Sequence, residues 1–249
     1  MIKQIPNIIT SLNLLCGCVA IFFAISGDLV TASFFVFVGI FFDFFDGLAA
    51  RVLNAHSEVG LQLDSLADMV TSGVAPGIVM VQLLSQATTG SYLDITSIFS
   101  QSGWNTSMYD YIPFVGLLIT VASAYRLAKF NVDTRQRTSF IGLPTPANTL
   151  LILSLPLILH FQHTQVIENI ILNAWLLLGL TVLSCILLNA ELPLFALKFK
   201  TWDLKSNAVR YLFLLACIVL LVLLKFVAIP VIILLYILIS LFWKDQAPQ

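Results

Sequence analysis

The chain has 249 residues, 59% hydrophobic and only 10% charged, with a formal net charge of −1 and a mean hydropathy of +0.98. A soluble globular domain carries about 25% charged residues, so this composition excludes a water-soluble fold and points to a polytopic membrane protein. There is no repeat, no low-complexity linker and no glycine-rich nucleotide loop, so one membrane domain over 1–249 and no nucleic-acid partner are expected.

Apolar runs occur at about residues 6–27, 29–53, 60–85, 110–130, 144–162, 168–189, 207–226 and 228–243. Each is near the ~20 residues that a spanning helix needs, which predicts an all-α bundle of about eight transmembrane helices. The first run follows Lys3 and imitates a signal peptide. It carries Asn7, Thr10 and Asn13 and lacks a small-residue cleavage site, so it is assigned as the first helix.

The twelve Lys and Arg set the expected orientation. With both termini cytoplasmic, inner segments hold Arg51, then Arg126, Lys129, Arg135 and Arg137, then Lys198, Lys200, Lys205 and Arg210, then Lys244. Outer segments 86–109 and 163–167 hold none, and only Lys225 borders an outer turn, as the positive-inside bias requires.

Cys16, Cys18, Cys185 and Cys217 have no metal-ligand or redox spacing and are read as packing residues. His160 and His163, near an outer helix end, have a spacing open to metal ligation, with an interfacial structural role favoured. Asn105-Thr106-Ser107 is a sequon in the outer segment 86–109.

The chemistry concentrates in Asp43-x-x-Asp46-Gly47-x-x-Ala50-Arg51, followed after eight positions by Gly60, then Asp64 and Asp68. An acidic side chain in a membrane helix costs roughly 2.5–3.5 kcal/mol, so four need a compensating charge. At 100° per residue, Asp43, Asp46, Gly47 and Ala50 share an arc of about 100°, and Gly60, Asp64 and Asp68 one of about 80°. Two antiparallel helices joined by a turn around Asn54–Glu58 point these stripes at each other and form a four-carboxylate cage. The cage lies only ~12 Å below the cytoplasmic turn, level with lipid headgroups. Hard oxygen ligands of this kind suit Mg²⁺ or Mn²⁺, and a pair of metals would suit phosphoryl chemistry. Gly47, Ala50 and Gly60 leave room for a bulky ligand, and Arg51 offers a fork for phosphate oxygens. Taken singly, such residues also serve as ion-pathway groups, packing positions or a positive-inside charge.

The eight fixed positions resemble, without a departure, the signature of the CDP-alcohol phosphotransferases, integral membrane enzymes that join two alcohols through a phosphate and release CMP. The resemblance implies that Asp43, Asp46 and Asp64 hold metal, and that Asp68 binds a second metal and acts as general base. It further implies that Gly47, Arg51 and Ser57 contact the cytidine diphosphate, with Ala50 and Gly60 beside it. Pro6-Asn7-x-x-Thr10 is similar to the family's additional nucleotide-contacting segment. A homodimer in a bacterial cytoplasmic membrane, its active site facing the cytosol, is also implied.

Outside the signature, Ile5-Pro6-Asn7 through Asn13-Leu14-Leu15-Cys16-Gly17, Tyr125-Arg126-Leu127-Ala128-Lys129-Phe130-Asn131 and Gly142-Leu143-Pro144-Thr145-Pro146-Ala147 resemble the membrane-integral phosphatidylserine synthases of that family. The acceptor is then L-serine and the donor CDP-diacylglycerol, with CMP as the leaving group. Arg126, Lys129 and Asn131 stand at a cytoplasmic helix end, where a guanidinium pairs naturally with the amino-acid carboxylate. For Lys129, snorkelling at the membrane edge is an equal alternative. Pro144 and Pro146 are placed to start the fifth helix. Two competing readings are the same chemistry with glycerol 3-phosphate or inositol phosphate as acceptor, which Arg135 and Arg137 leave open, and a divalent-cation transporter.

Overall fold

The computed structural model describes residues 4–55, 57–94, 108–133, 140–194 and 208–242, and it is all-α apart from one two-residue ladder. Helix α1 (Ile5–Ile25) has Pro6 in its first turn, where a missing N–H has no helical partner to lose. Asp28 caps α2 (Leu29–Val52), its Oδ1 accepting from the Thr31 N–H at 3.0 Å. Hydrogen bonds from Thr31 hold the Asp28 carboxyl below the usual carboxylate range.

The turn expected around Asn54–Glu58 is present. Asn54 takes φ 48°, the Ala55 N–H donates to the Ala50 carbonyl at 2.9 Å, and Ser57 caps α3 (Glu58–Asp68) by accepting from the Gly60 N–H at 3.0 Å.

Beyond Asp68 the helix does not continue as a regular α-helix. Residues Met69–Val74 form a π turn before α4 (Ala75–Thr89) begins, and Pro76 explains where the backbone bonds go. Proline has no N–H, so the Ser72 carbonyl, four residues earlier, loses its helical donor. Thr149 Oγ1 donates to that carbonyl at 2.9 Å, and Thr120 Oγ1 donates to the next one, Gly73, at 3.0 Å. On the opposite side Thr71 donates to the Asn13 carbonyl at 3.1 Å. This contact depends on Gly17 and Gly39. A methyl at Gly17 would press on the Thr71 hydroxyl and come within 3.0 Å of its backbone, and one at Gly39 would lie 2.7 Å from the Thr71 methyl.

Helix α5 (Leu118–Val132) grows out of a 3₁₀ segment, Ile112–Leu117. The chain then returns through Phe140–Ile141, paired antiparallel with Pro193–Leu194. Gly142 follows at φ 75°, where any side chain would meet the Leu188 carbonyl at 2.8 Å. Pro144 and Pro146 do start α6 (Thr145–Phe161), followed by α7 (Gln165–Ile171) and α8 (Ala174–Asn189), with a 53° bend between these two. The last pair, α9 (Ala208–Leu224) and α10 (Ala228–Phe242), would read as one helical run. Lys225 at φ 51° breaks it, and the rings of Phe213 and Tyr236 meet at 6.0 Å, so the two helices fold back as a hairpin.

Among the described residues, each of the eight apolar runs is therefore helical over most of its length. By length and composition five stretches can cross a membrane, or six with the bent α7–α8 pair counted as one, which makes this an integral membrane protein. The eight-span count rests further on dividing the α9–α10 hairpin and on α6, which at 17 residues is shorter than the others.

The core centres on α4, where every residue from Val79 to Ser85 is buried, packed with Val36, Ile152 and Leu153. The outer helices instead present apolar side chains such as Val222 and Leu223 outward, as lipid-facing surfaces do. The four cysteines are free. Gly17→Ala and Gly39→Ala should each destabilise the protein by about 1–3 kcal/mol, because the π turn has to move. Gly179→Ala, with nothing within 4 Å of the added methyl, should leave the melting temperature in detergent unchanged or raised. Equal melting temperatures for all three would contradict the packing described.

Candidate active site

Helices α2 and α3 bring Asp43, Asp46 and Asp64 together, each offering one carboxylate oxygen, and these atoms lie within 4.8 Å of one another. Asp46 is buried and its Oδ2 is sealed from solvent without a hydrogen-bond partner. Three carboxylates this close repel one another in a low-dielectric setting, and an orphaned buried oxygen is costly. A divalent cation satisfies both, and an all-oxygen donor set fits a hard one. Asp68 does not belong to this close set. One helical turn beyond Asp64, it interacts with Asp43, and its Oδ1 accepts from Asn13 Nδ2 at 3.3 Å. The expected four-carboxylate cage is thus a trio with a fourth acid held at its edge.

Helix α1 supplies the third wall. Thr10, buried and donating to the Pro6 carbonyl at 3.0 Å, abuts Asp46. Asn7 Oδ1 stands 3.0 Å from where a Cβ on Gly60 would lie. Gly47 faces open space, with no atom within 4 Å of an added methyl, so the stripe beside the carboxylates is free for a ligand. Ala50 is half-buried on the same stripe, while Arg51 and Ser57 are exposed, Ser57 being engaged as the α3 cap.

The acceptor residues inferred from the sequence fall into different environments. Arg126 is not at an exposed helix end but 7% accessible, and it lies in the field of Asp68. Its Nη1 donates to Thr145 Oγ1 at 3.1 Å and its Nε is sealed without a partner. Lys129 pairs with Glu191 at 3.3 Å, and Asn131 Nδ2 donates to Ser65 Oγ at 2.9 Å, tying α5 to α3 beside Asp64. Arg135 and Arg137 lie outside the described residues, as does the sequon at Asn105.

His160 and His163 border a cavity of about 470 Å³ at the other end of the bundle, with Asp28 and Tyr92. His163 Nε2 is 3.0 Å from Glu168 Oε2. Among the described residues neither histidine joins a cluster tight enough to hold a metal.

Sequence reasoning gave no site role to Asn13, which orients Asp68, or to Thr145, which holds Arg126. A polar residue inside an otherwise apolar first helix, aligned with the carboxylates, was the available signal for Asn13.

The geometry defines a site built on acidic residues from two membrane helices, and comparison with known families gives the class of protein that carries it. A profile of the family described as CDP-alcohol phosphatidyltransferase matches residues 3–187, and the chain belongs to that family. It is 36% identical over 148 residues to the CDP-diacylglycerol–serine O-phosphatidyltransferase of Bacillus subtilis, covering 58% of this chain and 70% of that one. With the Helicobacter pylori enzyme of the same name it is 31% identical over 214 residues, covering 84% and 79%. With the archaetidylserine synthase of Methanothermobacter thermautotrophicus it is 31% identical over 153 residues, covering 60% and 56%. Family membership sets aside the cation-transporter reading. The family is in general dependent on a divalent metal, which the carboxylate trio fits.

A cation that binds the folded state alone raises its stability. Mn²⁺ or Mg²⁺ should therefore raise the melting temperature of the detergent-solubilised chain, and EDTA should reverse the rise. Asp43→Asn, Asp46→Asn and Asp64→Asn should each abolish that response, and a wild-type melting temperature indifferent to both treatments would remove the metal assignment.

Proposed function

We propose that this protein transfers the phosphatidyl group of CDP-diacylglycerol to the hydroxyl of L-serine, giving phosphatidylserine and CMP. The observation that carries the choice of acceptor is Arg126. A guanidinium buried among membrane helices is costly without an anion, and among the described residues no carboxylate lies within ion-pair distance of it. The carboxylate of an amino acid is a bidentate match for that vacancy. The names of the Bacillus and Helicobacter relatives support the same acceptor.

In the mechanism, Asp68, held by Asn13, takes the proton from the serine hydroxyl while Arg126 holds the serine carboxylate. The serine oxygen attacks the lipid-proximal phosphorus, the bond from that phosphorus to the CMP oxygen breaks, and CMP leaves with the electron pair. No Ser, Cys or His occupies a fixed position of the motif as a nucleophile, so transfer is direct. Asp43, Asp46 and Asp64, with Asp68 for a second ion, would hold Mg²⁺ or Mn²⁺, which when bound supplies positive charge against the diphosphate. Gly47, Ala50 and Gly60 leave room for the cytidine, with Asn7, Thr10, Arg51 and Ser57 around it. Acyl chains stay in the bilayer. Lys129 and Asn131, already paired with Glu191 and Ser65, act at the rim rather than as primary serine contacts. The site faces the cytosol of a bacterial cytoplasmic membrane.

Asp68→Asn should abolish transfer while leaving CDP-diacylglycerol binding largely intact, because the trio remains. Loss of binding equal to the loss of rate would make Asp68 chiefly a ligand. Arg126→Lys should raise the KM for serine by ~10-fold or more with little change for CDP-diacylglycerol, since lysine cannot reproduce a bidentate contact. An unchanged serine KM would defeat the acceptor assignment.

A further inference from the structure

Thr145 and Thr149 stand one turn apart at the start of α6, both with hydroxyls turned to other helices and both essentially inaccessible. Thr145 Oγ1 accepts from Arg126 Nη1 at 3.1 Å. Thr149 Oγ1 lies 2.9 Å from the Thr145 carbonyl and 2.9 Å from the Ser72 carbonyl. A buried helical threonine ordinarily back-bonds only to the carbonyl four residues before it. Thr149 also bonds across to the carbonyl that Pro76 leaves without a helical donor, in the π turn that begins at the residue after Asp68. One short stretch of α6 therefore grips the guanidinium on α5 with one hydroxyl and the end of the Asp68 helix with the other.

The surroundings are tuned for polar contact rather than for packing. Ser72 Oγ, Ser123 Oγ, both amide atoms of Asn148 and Arg126 Nε are all sealed and unpartnered in the same layer. Buried polar atoms left in this state cost free energy, and a membrane core would be more stable without them. At both positions valine has the same shape as threonine, so replacement by valine removes the bonds to Arg126 and to the Ser72 carbonyl and leaves the packed volume unchanged.

Resting on the serine reading above, we propose that Thr145 and Thr149 are positioning residues of the acceptor site. Serine carries its carboxylate and its hydroxyl on neighbouring carbons, so the guanidinium that holds one and the carboxylate that deprotonates the other must be kept at one separation. Thr145 aims Arg126 at the carboxylate. Thr149 fixes the π turn, and with it the depth at which Asp68 meets the hydroxyl. A displacement of about 1 Å at such a site costs as much as 10²-fold in rate, so a latch of this kind acts on catalysis without touching substrate.

The test uses the full chain in detergent, with initial rates of CMP release measured against both substrates. Thr145→Val should raise the serine KM by roughly 10-fold with the CDP-diacylglycerol KM within about two-fold of wild type. Thr145→Ser, which keeps the hydroxyl, should stay near wild type. Thr149→Val should lower kcat by roughly 10-fold with both KM values little changed, and Thr149→Ser should restore it. Because KM does not depend on the amount of folded protein, partial loss of folding does not imitate the Thr145 result. A serine KM unchanged in Thr145→Val, or valine and serine variants equally impaired at either position, would overturn the proposal while the serine reading stands. A wild-type chain that releases CMP with another alcohol and ignores serine would overturn both.

Discussion

Negative charge in an apolar layer is the constraint around which this molecule is organised. Each carboxylate in a membrane helix carries a cost of roughly 2.5–3.5 kcal/mol, and bringing three within 4.8 Å of one another adds mutual repulsion in a medium that screens it poorly. Among the described residues no cation forms an ion pair with them. The structure instead surrounds them with groups that orient oxygen lone pairs, Thr10 beside Asp46 and Asn13 on Asp68, and leaves open space next to Gly47. A divalent cation held there would offset that repulsion, and it would make one object of the family's general metal dependence, the fold of α1 to α3 and the site.

The second organising element is the break after Asp68. A regular α-helix through Ser72 would have continued the rotation set by Asp64 and Asp68, whereas the π turn resets the register so that α4 can bury nearly its whole circumference. The Ser72 carbonyl released at Pro76 is taken up by Thr149, and Thr120, from another helix, adds a bond to the neighbouring Gly73 carbonyl. Glycine at 17 and 39 admits Thr71 on the remaining side. The acid at the edge of the trio is thereby tied to α1, α2, α5 and α6 at once, while the outer hairpin α9–α10 stays peripheral.

Much of this was readable from residues alone because helical periodicity and hydropathy are local properties. The apolar runs became helices, the Asn54–Glu58 turn sits where the polar residues are, and the spacing of Asp43, Asp46 and Asp64 was enough to predict their convergence. What the sequence concealed depends on contacts between distant segments. Asp68 sits beside the trio rather than in it, bonded to Asn13 of α1, and the π turn that follows it is marked by no hydropathy pattern, although Pro76 after Gly73 was a clue. Lys129 looked available for an acceptor but is paired with Glu191, more than sixty residues away in the chain, and Ser57 is occupied as a helix cap. Arg126, placed from the sequence at a cytoplasmic helix end as the partner of the serine carboxylate, proved to be buried. Placing it needed Thr145, whose neighbouring prolines drew attention to the backbone instead of to its hydroxyl.

The most direct measurement is a competition. The purified chain is given CDP-diacylglycerol and Mn²⁺ with equal concentrations of serine, glycerol 3-phosphate and inositol phosphate, and the lipid products are separated by mass alongside CMP. The account predicts phosphatidylserine as the dominant product, equimolar with CMP, and no product after EDTA. Phosphatidylglycerol phosphate or an inositol lipid as the main product, or turnover undiminished by EDTA, would contradict it.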